Sequence, residues 1–343
     1  MIASGLFGRL NRLSLSVALA AGLAAFSAGS ATAQEKLVVS LDTGATHLQS
    51  RLVRQFVETL EERSGGALTG EVFDSAQLYN SRDAGKAVAR GDVAMSILTT
   101  PALSRIEANL NVFDLPMLNG LSIEQRNALV DGELGRQLSQ MVGERMGVVV
   151  PGKWLLLGRV LYWSTTKPLA SLEDFKGLQV RIPGGAANVA RLEALGATAV
   201  VMPFADTPLA LQQGVVDATM GSKETMVAQK LVDTGIRHAF WDRGIVGYRM
   251  PIVSRQYWGS LNDDQKTLFT EAWNEIVAIE REDALKGEVS DQKTLEAQGV
   301  TFSEANQAEA AKAREILMPI QPGLIEKLGI SAEIVSLAEA GIK

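Results

Sequence analysis

The 343-residue chain contains no cysteine, only two histidines (His47 and His238) and a net charge of −6. Each shortage removes a class of chemistry. Without cysteine there are no disulfides, thiolate nucleophiles, iron–sulfur clusters or cysteine-ligated zinc. Two histidines do not make a histidine-rich metal site, and they argue against a Ser-His-Asp triad. A negative chain lacks the surplus of clustered Lys and Arg that nucleic-acid phosphates require, so nucleic acid is excluded as a partner. Also absent are the G-x-S-x-G elbow, the phosphate-binding G-x-x-x-x-G-K-[ST] loop, the G-x-G-x-x-G fingerprint and H-E-x-x-H. No cofactor or metal is expected. What remains is an ordinary globular composition, 46% apolar and 21% charged, at a length that normally exceeds one hydrophobic core.

The first 33 residues read as an export signal. Arg9 and Arg12 precede the apolar run Leu13 to Phe26, and Ala31-Thr32-Ala33 stands before Gln34. A positive start, a short apolar stretch and an A-x-A site define a cleaved secretory peptide, with cleavage after Ala33. The apolar run is shorter than the ~20 residues that span a bilayer, and polar Gln34, Glu35 and Lys36 follow at once, which disfavours an uncleaved anchor. Removing 33 residues and two arginines leaves 310 residues with a charge of −8. The expectation is an exported protein in the periplasm, without stable membrane insertion.

Strands and helices alternate in the remainder. Leu37–Leu41 reads as a buried strand, and His47 leads into a helix whose Leu48, Leu52, Val53, Phe56, Val57 and Leu60 form one apolar stripe. Strands at Leu68–Phe73 and Val93–Leu98 flank a helix at Ser81–Arg90, and a second set of strands and helices runs from Leu178 to Met220. Two such sets in one chain predict two α/β lobes with parallel strands. We expect the first lobe mainly over residues 34–155 and the second mainly over 156–250. Residues 251–343 would supply a hinge-crossing strand, a long helix and C-terminal helices packing on both lobes. From Asp263 to Gln298 the chain has no proline and one glycine, Gly287, which leaves two readings open: one spine helix of about 54 Å, or two helices broken near Gly287.

The segment 167–188, KPLASLEDFKGLQVRIPGGAAN, carries the most specific signal. Ser171 caps a short helix, Gly177 ends it, a strand reaches Arg181, and Pro183-Gly184-Gly185 opens the next helix. A guanidinium at the carboxyl end of a parallel strand, beside a helix N-terminus, is placed to grip a carboxylate through two charge-assisted hydrogen bonds. The alternative is a structural ion pair with an acidic neighbour. His47, at the first helix entrance, either faces a cleft or is a polar capping residue. His238 reads as structural. No pair of carboxylates stands out for acid–base chemistry, so capture of a ligand is favoured over catalysis.

These features, with Ser75-Ala76-Gln77-Leu78, Gly91-Asp92-Val93-Ala94-Met95, Phe113-Asp114-Leu115-Pro116, Glu173 to Arg181, Met202-Pro203-Phe204, Ala210 to Asp217 and Trp258, resemble the solute receptors of TRAP (tripartite ATP-independent periplasmic) transporters, dicarboxylate-receptor type. The resemblance covers essentially the whole mature chain. It implies a two-lobed periplasmic binding protein fold with hinge strands and a long helix, closing over a small organic acid that is delivered to TRAP membrane subunits. Arg181 matches the strand-end arginine that binds the ligand carboxylate, and Arg159 is matched to a second family arginine about twenty residues earlier. Asp206-Thr207-Pro208 stands where the family often has Glu-Val-Tyr, and Ala218 to Ser222 replaces a Gly-Gln-Glu-Asn-Pro run. Asp206 and Gly221 therefore fall in a half of the pocket that is rebuilt, and the ligand need not be a standard C4-dicarboxylate. Phe204 and Trp154 are either apolar pocket walls or core. The competing functions are an exported receptor for a sensor or another importer class and, less favoured, an exported hydrolase or lyase.

Overall fold

Two six-stranded sheets organise residues 36–342, the part of the chain that the computed structural model describes; the signal-peptide reading of residues 1–33 lies outside it. In the first sheet, Gly70–Phe73, Leu37–Ser40 and Met95–Thr99 run parallel. The long strand Val246–Ser254 lies antiparallel beside Met95–Thr99, and its other edge takes Val148–Val149 and Leu155–Arg159. The second sheet has the order Thr301–Glu304, His238–Trp241, Leu161–Ser164, Ala218–Gly221, Gln179–Ile182, Thr198–Val201, the last three parallel.

The chain passes between the sheets three times. Leu155–Arg159 gives way to Leu161–Ser164 across Val160, His238–Trp241 leads back to Val246–Ser254, and the helix Asp263–Ala297 ends beside Thr301–Glu304. Its start is fixed by Asn262 and Gln265, which cap each other's backbone, and by Asp263 and Asp264 in the first turn, where carboxylates meet the positive helix end. Of the two readings left open, the single 35-residue helix is the one found, continuous through Gly287. Helix propensity over so long a run, together with buried Phe269, Trp273, Ile276 and Val277, outweighs one glycine.

The first helix, Leu48–Arg63, buries the whole predicted stripe against the first sheet and the long helix, with Phe56 edge-on to Phe269 (4.9 Å) and Trp273 (5.3 Å). Each such side chain contributes about 1.5–3 kcal/mol of burial. The C-terminal helices divide between the sheets. Ala313 and Leu317 join the core of the second, and Ile334 and Ala338 that of the first. Trp154 is core rather than pocket wall: it packs edge-on to Phe113 at 5.6 Å and its Nε1 donates to Ser139 Oγ at 3.0 Å. His238 sits at a strand pairing with Nδ1 2.8 Å from Thr301 Oγ1, a structural place. Among the described residues no helix is long and apolar enough to cross a membrane.

Candidate functional site

The carboxyl ends of the parallel strands in the two sheets meet along a seam. The loop after Leu37–Ser40 reaches the helix Lys223–Ala228: Thr46 Oγ1 donates to the Ala228 carbonyl (3.0 Å) and the Leu48 N–H to Glu224 Oε1 (2.7 Å). The loop after Gln179–Ile182 meets the segment after Met95–Thr99, where a β-carbon on Gly184 would lie 2.8 Å from the Pro101 carbonyl oxygen. Nearby, the Ala187 N–H donates to Asn111 Oδ1 (3.2 Å) and Asn188 Nδ2 to Asp114 Oδ2 (3.1 Å). Open α/β sheets take ligands beyond the carboxyl ends of their strands.

Arg181, the third residue of Gln179–Ile182, is 2% exposed in this seam. Its Nε and Nη2 both donate to the Met202 carbonyl, at 3.1 and 2.9 Å, and its guanidinium carbon stands 5.4 Å from the centre of the Phe204 ring. Burial pulls its pKa down to about 10, against the opposing fields of Asp42 and Asp206, so it remains a cation at neutral pH. Among the described residues the structural ion pair held open as the alternative is not formed: both hydrogen bonds go to a carbonyl oxygen. A buried cation without a contacting anion is costly, and an external carboxylate would relieve that cost.

The other sequence candidates are dispersed. Phe204 lies against Arg181, and Asp206 is exposed at the end of the short turn Phe204–Asp206. The Gly221 carbonyl accepts from Trp163 Nε1 at 2.9 Å, and a β-carbon on Gly221 would press on the Met226 methyl at 2.6 Å. Arg159 shares no partner with Arg181. It pairs with Glu288 on the long helix (3.2 Å), stacks over Trp241 (4.8 Å) and lines a separate cavity of about 510 Å³ with Lys223, Lys293 and Phe302. The physical reason is the two-residue period of a strand: Val160, next in sequence, turns into the second core, and Arg159 takes the opposite face.

His47 unites both of its readings, as helix cap and as seam residue. It is 2% exposed; Nδ1 accepts the Gln49 N–H (3.2 Å), while Nε2 faces Glu224 Oε2 (2.8 Å), Thr225 Oγ1 (3.3 Å) and Arg249 Nη1 (3.3 Å). With Nδ1 accepting, hydrogen-bond logic puts the proton on Nε2, where it is donated to Glu224. Burial lowers the pKa of His47, the Glu224 carboxylate opposing, so the ring is neutral at pH 7. Because one nitrogen serves Glu224 and Thr225 together, the imidazole is not arranged to relay a proton from a hydroxyl to a carboxylate.

Residues that the sequence did not single out complete the seam: Gln49, Glu224 and Arg249. Arg249 is opposite Thr99 and Leu155 in the long strand, 8% exposed, with Nη1 donating to Gln49 Oε1 at 2.5 Å. Burial lowers its pKa, opposed by Asp42, Glu224 and Glu280. The available signal was a charge inside the otherwise apolar run Ile245 to Val253. Among the described residues no group of His, Asp or Glu is placed to hold a metal ion.

Residues 40–327 match the family model of the bacterial extracellular solute-binding protein family 7, DctP. The chain belongs to this family. It is 30% identical over 297 residues to the C4-dicarboxylate-binding periplasmic protein DctP of Rhodobacter capsulatus, covering 83% of this chain and 84% of the relative. Its fold matches the sugar acid binding protein DctPAm of Advenella mimigardefordensis in complex with galactonate (TM-score 0.84, 20% identity, 90% of this chain and 98% of that one). It also matches a TRAP periplasmic solute-binding protein of Shewanella oneidensis with bound succinate (TM-score 0.83, 23% identity, 91% and 100%). The resemblance to TRAP solute receptors, the two-sheet α/β architecture and the long helix are thereby confirmed, and the DctP family is one of solute-binding receptors, not enzymes.

Proposed function

We propose that this chain is an exported receptor that captures a small organic acid in the seam between its sheets and delivers it to the membrane subunits of a TRAP transporter. The observation that carries the reading is Arg181, a buried cation at a strand's carboxyl end whose hydrogen bonds, among the described residues, go only to a carbonyl oxygen. The relative's name, with galactonate and succinate in the structural neighbours, supports an organic acid as ligand. The periplasm is the proposed compartment, from the signal-like residues 1–33 and the periplasmic relatives. Lobes of mainly 34–155 and 156–250, tied by 251–343, are the proposed moving parts; the crossings at Val160, after Trp241 and along the long helix support that division. Ligand contacts to both lobes would stabilise the closed state over the open one. Arg159, paired with Glu288 on the long helix, is left out of the proposed carboxylate contacts.

A thermal-shift screen against mono- and dicarboxylates, hydroxy acids and sugar acids tests the proposal. A true ligand at 100 times its dissociation constant adds about 2.7 kcal/mol to stability. An absence of stabilisation by every acid would overturn it.

A further inference from the structure

The two residues that begin the helix Lys223–Ala228 face opposite ways. Lys223 Nζ donates to Glu288 Oε2 (3.2 Å) and Gln292 Oε1 (2.8 Å), both on the long helix. Glu288 also takes Arg159, the last residue of the first crossing strand, at 3.2 Å. Glu224 turns instead toward the first sheet and engages it with both carboxylate oxygens. Oε1 accepts the Leu48 N–H at 2.7 Å, and Oε2 faces His47 Nε2 at 2.8 Å.

Neighbouring contacts run the same way. Thr46 Oγ1 donates to the Ala228 carbonyl (3.0 Å), and His47 Nε2 lies 3.3 Å from Thr225 Oγ1. A β-carbon on Gly44 would lie 3.0 Å from Gln229 Nε2. One loop after the first strand, residues 44–48, therefore faces one helix of the second lobe along its length. Leu48 opens the 16-residue first helix, whose initial N–H groups have no partner within the helix and whose positive end favours a carboxylate. Glu224 supplies that carboxylate from the other side of the seam.

We infer that Glu224 is a positioning residue for capture, a latch that holds the two lobes together over the ligand through His47 and the first helix. This rests on the proposed closure of the lobes, under which these contacts belong to the closed state. Each Glu224 oxygen already has a protein donor, which leaves the residue to hold the lobes rather than the ligand. Arg181 and Glu224 then act at different steps. Arg181 meets the incoming acid, whereas contacts made only in the closed state slow opening and so lengthen the ligand's stay. Lys223 ties the same short helix to the long one, so the latch is carried on an anchored element.

The chain has no cysteine, so two spin labels can be placed cleanly, at Glu58→Cys on the first helix and Glu193→Cys on the helix Ala186–Ala194, both exposed. Pulsed double electron–electron resonance then reads the distance between lobes, with and without succinate or galactonate, and calorimetry reads affinity. In the labelled parent, the acid that binds should raise the closed population. Glu224→Gln keeps an acceptor for the Leu48 N–H but sets an amide NH2 against the proton on His47 Nε2. It should leave an open population at saturating acid and lower affinity by about tenfold or more, the worth of a hydrogen bond to a charged group. Thr46→Val, at an exposed position, should shift both readouts the same way by about twofold or more, and it gives an independent reading if Glu224→Gln folds poorly. Both variants matching the parent in distances and within about twofold in affinity would overturn the latch and leave closure intact. Affinity lost with full closure at saturation would make Glu224 a ligand contact and likewise overturn it. If the parent binds an acid with no change in distance, the closure reading falls and the latch with it.

Discussion

Gly184 and Pro101 touch across the seam with no room for a side chain between them. Gly184 has φ of +146°, a conformation nearly restricted to glycine, and its missing β-carbon would lie 2.8 Å from the Pro101 carbonyl oxygen. The contact joins a loop of the second sheet to a segment of the first, so under the proposed closure of the lobes it is a closing contact.

Gly184→Ala should therefore act on closure and on local backbone strain. We predict a loss of about 1–3 kcal/mol of stability from the strained φ. Ligand affinity should also fall by about tenfold or more, as the closed state is held apart. Small-angle scattering should show a larger radius of gyration with ligand than the wild type gives. An unchanged affinity and radius in the folded variant would remove this contact from the closing surface.

Glu280 connects the long helix to the first crossing strand by accepting the Leu156 N–H at 2.9 Å, and it does so 4% exposed. Burial raises its pKa to about 8, against the lowering effects of that N–H, Arg249 and Arg281. The folded protein thus holds this proton more tightly than the unfolded chain does. Its contribution to stability is complete below the unfolded pKa of about 4.3 and is lost as pH rises toward 8. Glu280→Gln keeps the acceptor and removes the ionisation. We predict that it stabilises the protein by on the order of 1–3 kcal/mol at pH 8.5 and by much less at pH 5. Denaturation at both pH values checks this, and an equal effect at the two would contradict it.

Gly287 interrupts nothing in the helix Asp263–Ala297, and a β-carbon there would meet only the flexible Asp291 carboxylate, at 3.3 Å. Gly287→Ala should stabilise the fold by about 0.5–1 kcal/mol, the ordinary difference between these residues in a helix interior. Urea denaturation reads it directly. Destabilisation would mean that the glycine serves a bend or a contact that the straight helix does not reveal.

The sequence disclosed what is local. The stripe Leu48 to Leu60 named the buried face of the first helix residue by residue, because its apolar spacing has one geometric solution. Arg181 was legible for a similar reason: Gly177 before it and Pro183-Gly184-Gly185 after it bracket a short strand. Arg159 was harder. A shift of one residue along a strand reverses the face, and spacing from Arg181 does not settle that register. Glu224 lies 177 residues from His47 and reaches it only where the two sheets meet, while Arg249, 202 residues away, is brought to it by long-range strand pairing within the first sheet. Gly287 left the long helix undecided because its modest local cost is outweighed by packing against Phe56 and its neighbours, which no single window of sequence contains.

The assignment of Arg181 as the carboxylate anchor is tested most directly by calorimetric titration. Wild type, Arg181→Ala, Arg181→Lys and the control Arg63→Ala are each titrated with the acid that stabilises the wild type most. Arg63 is a fair control because it is exposed and paired with Glu275 on the protein surface, away from the seam. We predict that Arg181→Ala loses about thirty-fold to several thousand-fold in affinity, the cost of removing one partner from a buried charge pair. Arg181→Lys should retain most of that loss, since a lysine keeps the charge but not the planar fork. Arg63→Ala should bind like the wild type. A correctly folded Arg181→Ala protein that binds within about threefold of the wild type would contradict the assignment.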